Sequence, residues 1–296
     1  MGFISRYHED EQRFFQFNRI YVVETLLEPD TRTGKNLFHD MLKPNCYRHP
    51  WLEASYHHVA TKKRLFELLA EIKRDALDGI IFPWIHIEGH GNLKGLSVGR
   101  GADKTIVKWE DLGVELRKIN VATKNNLMLV AATCHGSNLF KGIRVADRAP
   151  FFGFIAPIKE VTEQEVEEGF NTFYQRILNS DQFDEAMLDL CGARNGGKPC
   201  FTFLVAEVAF HHVGEKLLAE DRDPVERTRR LLETAQMKQV QATLGLSFDE
   251  LVARTRGVLD NREQLIQGWF QQFIMKDLGS DNERGTEPKG DRQSQH

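Results

Sequence analysis

Strand-like and helix-like segments alternate through residues 19–178, and this alternation limits the fold more than any single motif does. Residues 19–26 (RIYVVETL) are rich in β-branched and aromatic side chains and predict a strand. Residues 58–76 place Val59, Leu65, Leu68, Leu69 and Ile72 at helical spacing. Residues 80–87 predict a buried strand that ends at Gly89-His90-Gly91. Residues 126–133 (NLMLVAAT) predict another that ends at Cys134-His135-Gly136. Between them, residues 95–98 and 105–109 flank a Gly-rich turn and predict a hairpin, followed by a helix from Trp109 to about Asn120. Residues 151–157 read as a further buried strand. Residues 162–178 read as an amphipathic helix with Val166, Phe170, Phe173 and Ile177 on one face. Strands alternating with helices imply βαβ units and a mostly parallel sheet flanked by helices, an α/β fold.

The rest of the chain is organised differently. Residues 27–56 are polar and carry Pro29, Pro44 and Pro50. That is too long for a plain connector, so a functional or partly helical segment is expected. After residue 197 the pattern turns helical, over residues 206–220, 224–242, 248–259 and 262–276. The last stretch, LGSDNERGTEPKGDRQSQH, offers no core residues and predicts disorder. The reading is thus an α/β domain over 1–205, a helical extension over 206–276 and a disordered tail over 277–296.

Composition removes several function classes. With 41% apolar and 28% charged residues, the chain has the make-up of a globular protein. A formal charge of −4 without blocks of like charge gives no footprint for nucleic acid or a membrane surface. No apolar run approaches the ~18 residues of a membrane span. The N-terminus is charged and lacks the apolar stretch of a signal peptide, and Arg6 stands where a myristoylation signal has Ser or Thr. The expected compartment is the cytoplasm. Cys46, Cys134, Cys191 and Cys200 are scattered, which argues for reduced thiols rather than a disulfide framework. Cys191 and Cys200 flank a Gly-rich loop and stand near each other in sequence.

The chemistry gathers at two strand ends. In an open α/β sheet, sites form outside the carboxyl ends of the strands. Neighbouring parallel strands would bring His90 and Cys134 to one edge. A thiol is only partly ionised near neutral pH, and an adjacent imidazole raises the reactive thiolate population. Gly91 leaves its N–H bare, and with the N–H of Cys134 it forms a candidate oxyanion hole. Taken alone, Cys134 reads as a small core residue and His90-Gly91 as a turn; the pair, 44 residues apart on consecutive strands, points to a nucleophile and its general base.

This ordered string resembles the caspase-like cysteine peptidases, the group of caspases, metacaspases and bacterial CHAT proteases, and is closest in style to the last. It comprises a strand, His-Gly, a Gly-rich hairpin, a Trp-Glu-Asp-Leu helix, a strand, Cys-x-Gly, a strand and a helix, over about residues 19–178. The resemblance implies a caspase-like three-layer sandwich, a His90–Cys134 dyad and an oxyanion hole built from the amides of Gly91 and Cys134. It also implies an endopeptidase acting through a thioester on protein substrates, without cofactor, and a bacterial effector released by an upstream regulatory protein. Caspases have Gln, and metacaspases Asp, two residues before the nucleophile; Ala132 stands there in this chain, so neither cleavage preference carries over. Residues 137–150 are too short for an obvious maturation linker.

Other readings remain at this stage. His86, Glu88 and His90 fall at i, i+2 and i+4, on one side of a strand, a start for a metal-dependent hydrolase that Cys134 or His135 would complete. Within the peptidase reading, Glu88 or a backbone carbonyl would orient His90. His86 otherwise reads as a hydrogen-bonded core residue and His135 as structural, while His57, His58, His211 and His212 read as parts of helical segments. Gly99-Arg-Gly-Ala-Asp lacks a phosphate-loop context and reads as a turn. The third alternative is a caspase-like domain that has lost activity and serves as a binding scaffold.

Overall fold

The structure, a computed structural model, describes residues 15–180, 182–191, 200–236 and 244–278. Six strands form one sheet in the order β2-β1-β3-β6-β7-β8. They are β1 (Arg19–Glu24), β2 (Glu53–His58), β3 (Pro83–Glu88), β6 (Met128–Ala132), β7 (Gly153–Pro157) and β8 (Phe201–Val205). All neighbours are parallel except β8, which runs antiparallel to β7. β4 (Gly95–Val98) and β5 (Thr105–Lys108) make the expected separate hairpin.

Alternation along the strands builds two cores. Tyr21, Val23, Ile85, Ile87, Leu129 and Ala131 face one side; Ile20, Val22, Trp84, Met128 and Val130 face the other. β3 and β6 are buried throughout, as strands covered on both faces must be. The first face is covered by α3 (Lys62–Ala76), capped by the Thr61 hydroxyl, and α4 (Trp109–Ala122). The second is covered by α5 (Glu163–Ser180) and α6 (Phe183–Cys191). The result is an α/β protein with a mostly parallel mixed sheet between helical layers, consistent with a three-layer sandwich.

The segment 27–56 is partly helical, with α1 (Thr33–Asn36), a π-helical turn (Leu37–Leu42) and α2 (Lys43–Arg48). It also contains β2, which the sequence pattern does not reveal. EASYHH is half-buried at the sheet edge, and its pairing with β1, including an Arg19–Glu53 ion pair, decides its conformation over weak propensity. His57 and His58 therefore lie on a strand and not in a helix. β8 and α6 also escape the pattern, β8 because five residues run straight into the next helix.

Beyond residue 205, α7 (Ala206–Arg222) and α10 (Arg262–Phe273) bury Ala206, Phe210, Ile266, Phe270 and Phe273 in the same core as α3 and α4. These helices thus share the core of the sheet. α8 (Pro224–Gln236) and α9 (Phe248–Asp260) pack on each other and leave Val225, Leu232 and Val258 exposed. The end of α10 is tied to the loop after Cys134. The Ala149 N–H donates to the Phe273 carbonyl at 3.0 Å, and Arg148 grips Asp277 with two hydrogen bonds of 2.8 and 2.6 Å.

Among the described residues no disulfide joins any of the four cysteines. Among the described residues no helix is long and apolar enough to cross a membrane. The N-terminal segment 1–14, the Gly-rich loop 192–199 and the tail from 279 lie outside the described residues.

Candidate active site

The register of β3 on β6 pairs Glu88 with Ala132. Beyond that pair β6 bends, with the Thr133 N–H on the Ala131 carbonyl at 2.8 Å, and Gly91 lies against Thr133 and Cys134, so the residue after His90 meets the Cys134 backbone at the carboxyl edge. The glycines flanking His90 permit that approach. A Cβ at Gly89 would fall inside the Thr25 side chain. A Cβ at Gly91 would stand 2.7 Å from Thr133 Oγ1 and closer still to the Cys134 carbonyl oxygen. The Gly-His-Gly sequence is therefore what lets this strand end run tightly between the ends of β1 and β6.

His90 is 62% exposed, and its Nε2 lies 3.1 Å from Asp30 Oδ2. Asp30 was not visible as a site residue in the sequence. The usable signal is positional: β1 neighbours β3, so the polar loop leaving β1 emerges beside the end of β3. Cys134 is half-buried, and its thiol donates to the Val161 carbonyl at 3.6 Å. No hydrogen bond joins His90 to Cys134 among the described residues. Neither the Gly91 nor the Cys134 N–H has an intramolecular backbone acceptor among those residues. The β7–α5 loop crosses this edge, with the His135 N–H 3.4 Å from the Lys159 carbonyl. His135 itself adopts a left-handed φ of 58°, and its Nε2 is 3.9 Å from Glu160.

Glu88 does not orient His90. It is 1% exposed, receives His86 Nε2 at 2.9 Å on one oxygen and the Thr33 hydroxyl on the other. The carboxylate on His90 is that of Asp30. His86 is wholly buried between Glu88 and the Tyr174 hydroxyl, 3.0 Å from its Nδ1. Burial pushes the Tyr174 hydroxyl well above the usual phenol range, with the Glu88 charge acting in the same direction. With His86 and Glu88 sealed together and His90 turned to Asp30, the proposed metal triad does not converge. No group of three potential ligands among the described residues is placed to hold a metal.

Beside Glu88, directly opposite in register, lies Glu24 with no exposed surface. Its Oε1 accepts the N–H groups of Gly34 and Lys35 at 3.0 and 3.1 Å. Its Oε2 accepts the Tyr56 hydroxyl at 2.6 Å and Arg32, which also contacts Tyr56. Thr133 contributes the opposite case, a hydroxyl 1% exposed and without a partner among the described residues. The arrangement as a whole offers a thiol, an imidazole with a carboxylate behind it, and two unengaged backbone donors.

Burial pushes the Cys191 thiol up to about 11 and raises Cys46 above its ordinary value. No protein-family model matches the chain, and no curated protein matches it significantly.

Proposed function

We propose that this chain is a caspase-like cysteine endopeptidase, with Cys134 as nucleophile and His90 as general base. The observation that carries the reading is the β3–β6 register, which sets the two residues at one sheet edge, together with Asp30 behind the imidazole. With Nε2–H donating to Asp30, Nδ1 keeps the lone pair that takes the thiol proton. The thiolate attacks a peptide carbonyl, and its oxygen gathers charge toward the N–H groups of Gly91 and Cys134. Such donors typically contribute ~3–4 kcal/mol to lowering a barrier of this kind. The imidazolium then passes its proton to the leaving amine, and water, activated by the same imidazole, hydrolyses the thioester. The thiol first has to leave the Val161 carbonyl, and rotation about its own χ1 is the motion available to it. Catalytic hydrogen bonds are often long or misdirected until substrate is bound. A protein substrate, an upstream activating partner and a bacterial effector role belong to the same reading.

A second reading, the inactive scaffold, draws on the same Val161 contact, because a thiol parked on a carbonyl is not aimed at the imidazole. Mass-spectrometric labelling by iodoacetamide, scored per cysteine, separates the two. Cys134 should be compared with itself in His90→Ala rather than with its neighbours. A Cys191 thiol near 11 is only about 0.1% thiolate at pH 8, so outrunning it means little. A Cys134 rate that falls sharply in His90→Ala supports the dyad. An unchanged rate leaves the scaffold reading.

A further inference from the structure

The mechanism above makes no use of the buried Glu24, though a carboxylate with no exposed surface and four donors is costly to assemble. Its partners reveal what it holds. After β1 the chain leaves the sheet at Thr25, whose N–H is fixed on the Glu88 carbonyl at 2.8 Å and whose hydroxyl is fixed on the Ser97 carbonyl at 3.0 Å. It returns at Arg32, Gly34 and Lys35, all of which end on Glu24. Between these anchors hangs a short turn. The Asp30 N–H donates to the Leu27 carbonyl at 2.9 Å, and the Leu27 N–H reaches back to Asp30 Oδ2 at 3.4 Å. Arg100 clasps the turn from outside through the Glu28 carbonyl. The oxygen that receives Leu27 is the one 3.1 Å from His90 Nε2.

We infer that the pair of the buried Glu24 and the partly exposed Arg32, locked by Tyr56, is the positioning element of the site: it fixes the β1–α1 turn so that Asp30 meets His90. The inference rests on the peptidase reading and deepens it. Arg32 lies two residues from Asp30, so its anchorage sets where that carboxylate stands. Charge and geometry both matter. The guanidinium neutralises Glu24 while one of its arms reaches the phenol, and a lysine would keep the charge but lose that second arm. Burial pulls the Arg32 guanidinium down, but its hydrogen bond to Glu24 and the charge there outweigh this, so it stays firmly protonated.

The test uses the full chain, iodoacetamide as probe and the Cys134 labelling rate as readout. Arg32→Ala should slow Cys134 on the order of tenfold, the lower end of what partners behind a site residue contribute. Asp30→Asn should slow it by a similar factor, and the double variant should be no slower than Asp30→Asn alone, because both act through one contact. Arg32→Lys should keep part of the rate, and Tyr56→Phe should lose a smaller part. These two milder variants carry the test should Arg32→Ala fail to fold. A purely structural role would lower the melting temperature without this non-additivity. Variants that fold and leave the Cys134 rate at the wild-type value, or losses that multiply in full, overturn the inference while the His90 dependence stands. A wild-type Cys134 rate indifferent to His90→Ala overturns the peptidase reading, and this inference with it.

Discussion

Gly91 lies hard against the chain at Thr133 and Cys134, and adding one methyl group there has a calculable effect. In Gly91→Ala the new Cβ would stand 2.7 Å from Thr133 Oγ1 and nearer still to the Cys134 carbonyl oxygen, well inside ordinary contact distance. The second of these is backbone and cannot swing aside, so the ends of β3 and β6 must part by roughly 1 Å. Overpacking of this kind costs about 1–3 kcal/mol. At about 2–4 °C per kcal/mol, the melting temperature should fall by about 2–12 °C. Reactivity should suffer more than stability, since a displacement of about 1 Å in a site can cost about a hundredfold. Alanine keeps the Gly91 N–H, so any loss reports displacement rather than a deleted donor. The assay pairs thermal unfolding with Cys134 labelling by iodoacetamide. Gly268→Ala, on α10 with nothing within 4 Å of the new Cβ, serves as control. It should gain about 0.5–1 kcal/mol and leave labelling unchanged. A Gly91→Ala protein that melts with the wild type and labels Cys134 as fast would refute the close approach, and with it the argument for why His90 is flanked by glycines.

Thr133→Val removes a buried hydroxyl that has no partner among the described residues, and should raise stability by about 1 kcal/mol in urea unfolding; a loss of stability would mean that the hydroxyl is bonded in solution. Asp30→Asn should lower the His90-dependent labelling of Cys134 while leaving the melting temperature within a few degrees, because Asp30 is a third exposed; an unchanged rate would remove Asp30 from the site. Burial, and next the Arg64 charge, hold His57 below its ordinary value. The unfolded chain therefore takes up that proton at higher pH than the folded one, and stability should decline as the pH falls below about 6.5. His57→Gln should flatten the decline between about pH 7.5 and pH 5.5 in urea titrations. An equally steep decline in the variant would assign it to other groups.

How much of this was legible in the sequence depends on which physical signal carried each element. β1, β3, β6 and β7 are written in runs of apolar and β-branched residues, because both their faces are covered. α3, α4 and α5 show their buried stripes at helical spacing. β2 is not legible, since its residues are only partly buried and its pairing with β1 supplies the order that EASYHH lacks. His90 and Cys134 stand out because each follows an apolar run, His90 between two glycines and Cys134 two residues before Gly136. Glu88 was legible as a residue near His90 but not in its contacts, because His86 two residues earlier on the same face captures its carboxylate. Asp30, Arg32 and Glu24 could not be joined from spacing at all. Their association depends on where an irregular loop returns to the sheet, and no periodicity records that.

The tie between the loop after Cys134 and the end of α10 sets an order of events during synthesis. Cys134 leaves the ribosome with its own strand, but Ala149 and Arg148 wait for Phe273 and Asp277, more than 120 residues later. Until then residues 143–149 have their ties to Arg117 and Asn120 but not those to α10, and the apolar face awaiting Phe270 and Phe273 is open to water. A nascent chain thus carries Cys134 in unfinished surroundings while roughly the next 140 residues are made, and the last turns of helix close the loop that begins at that cysteine.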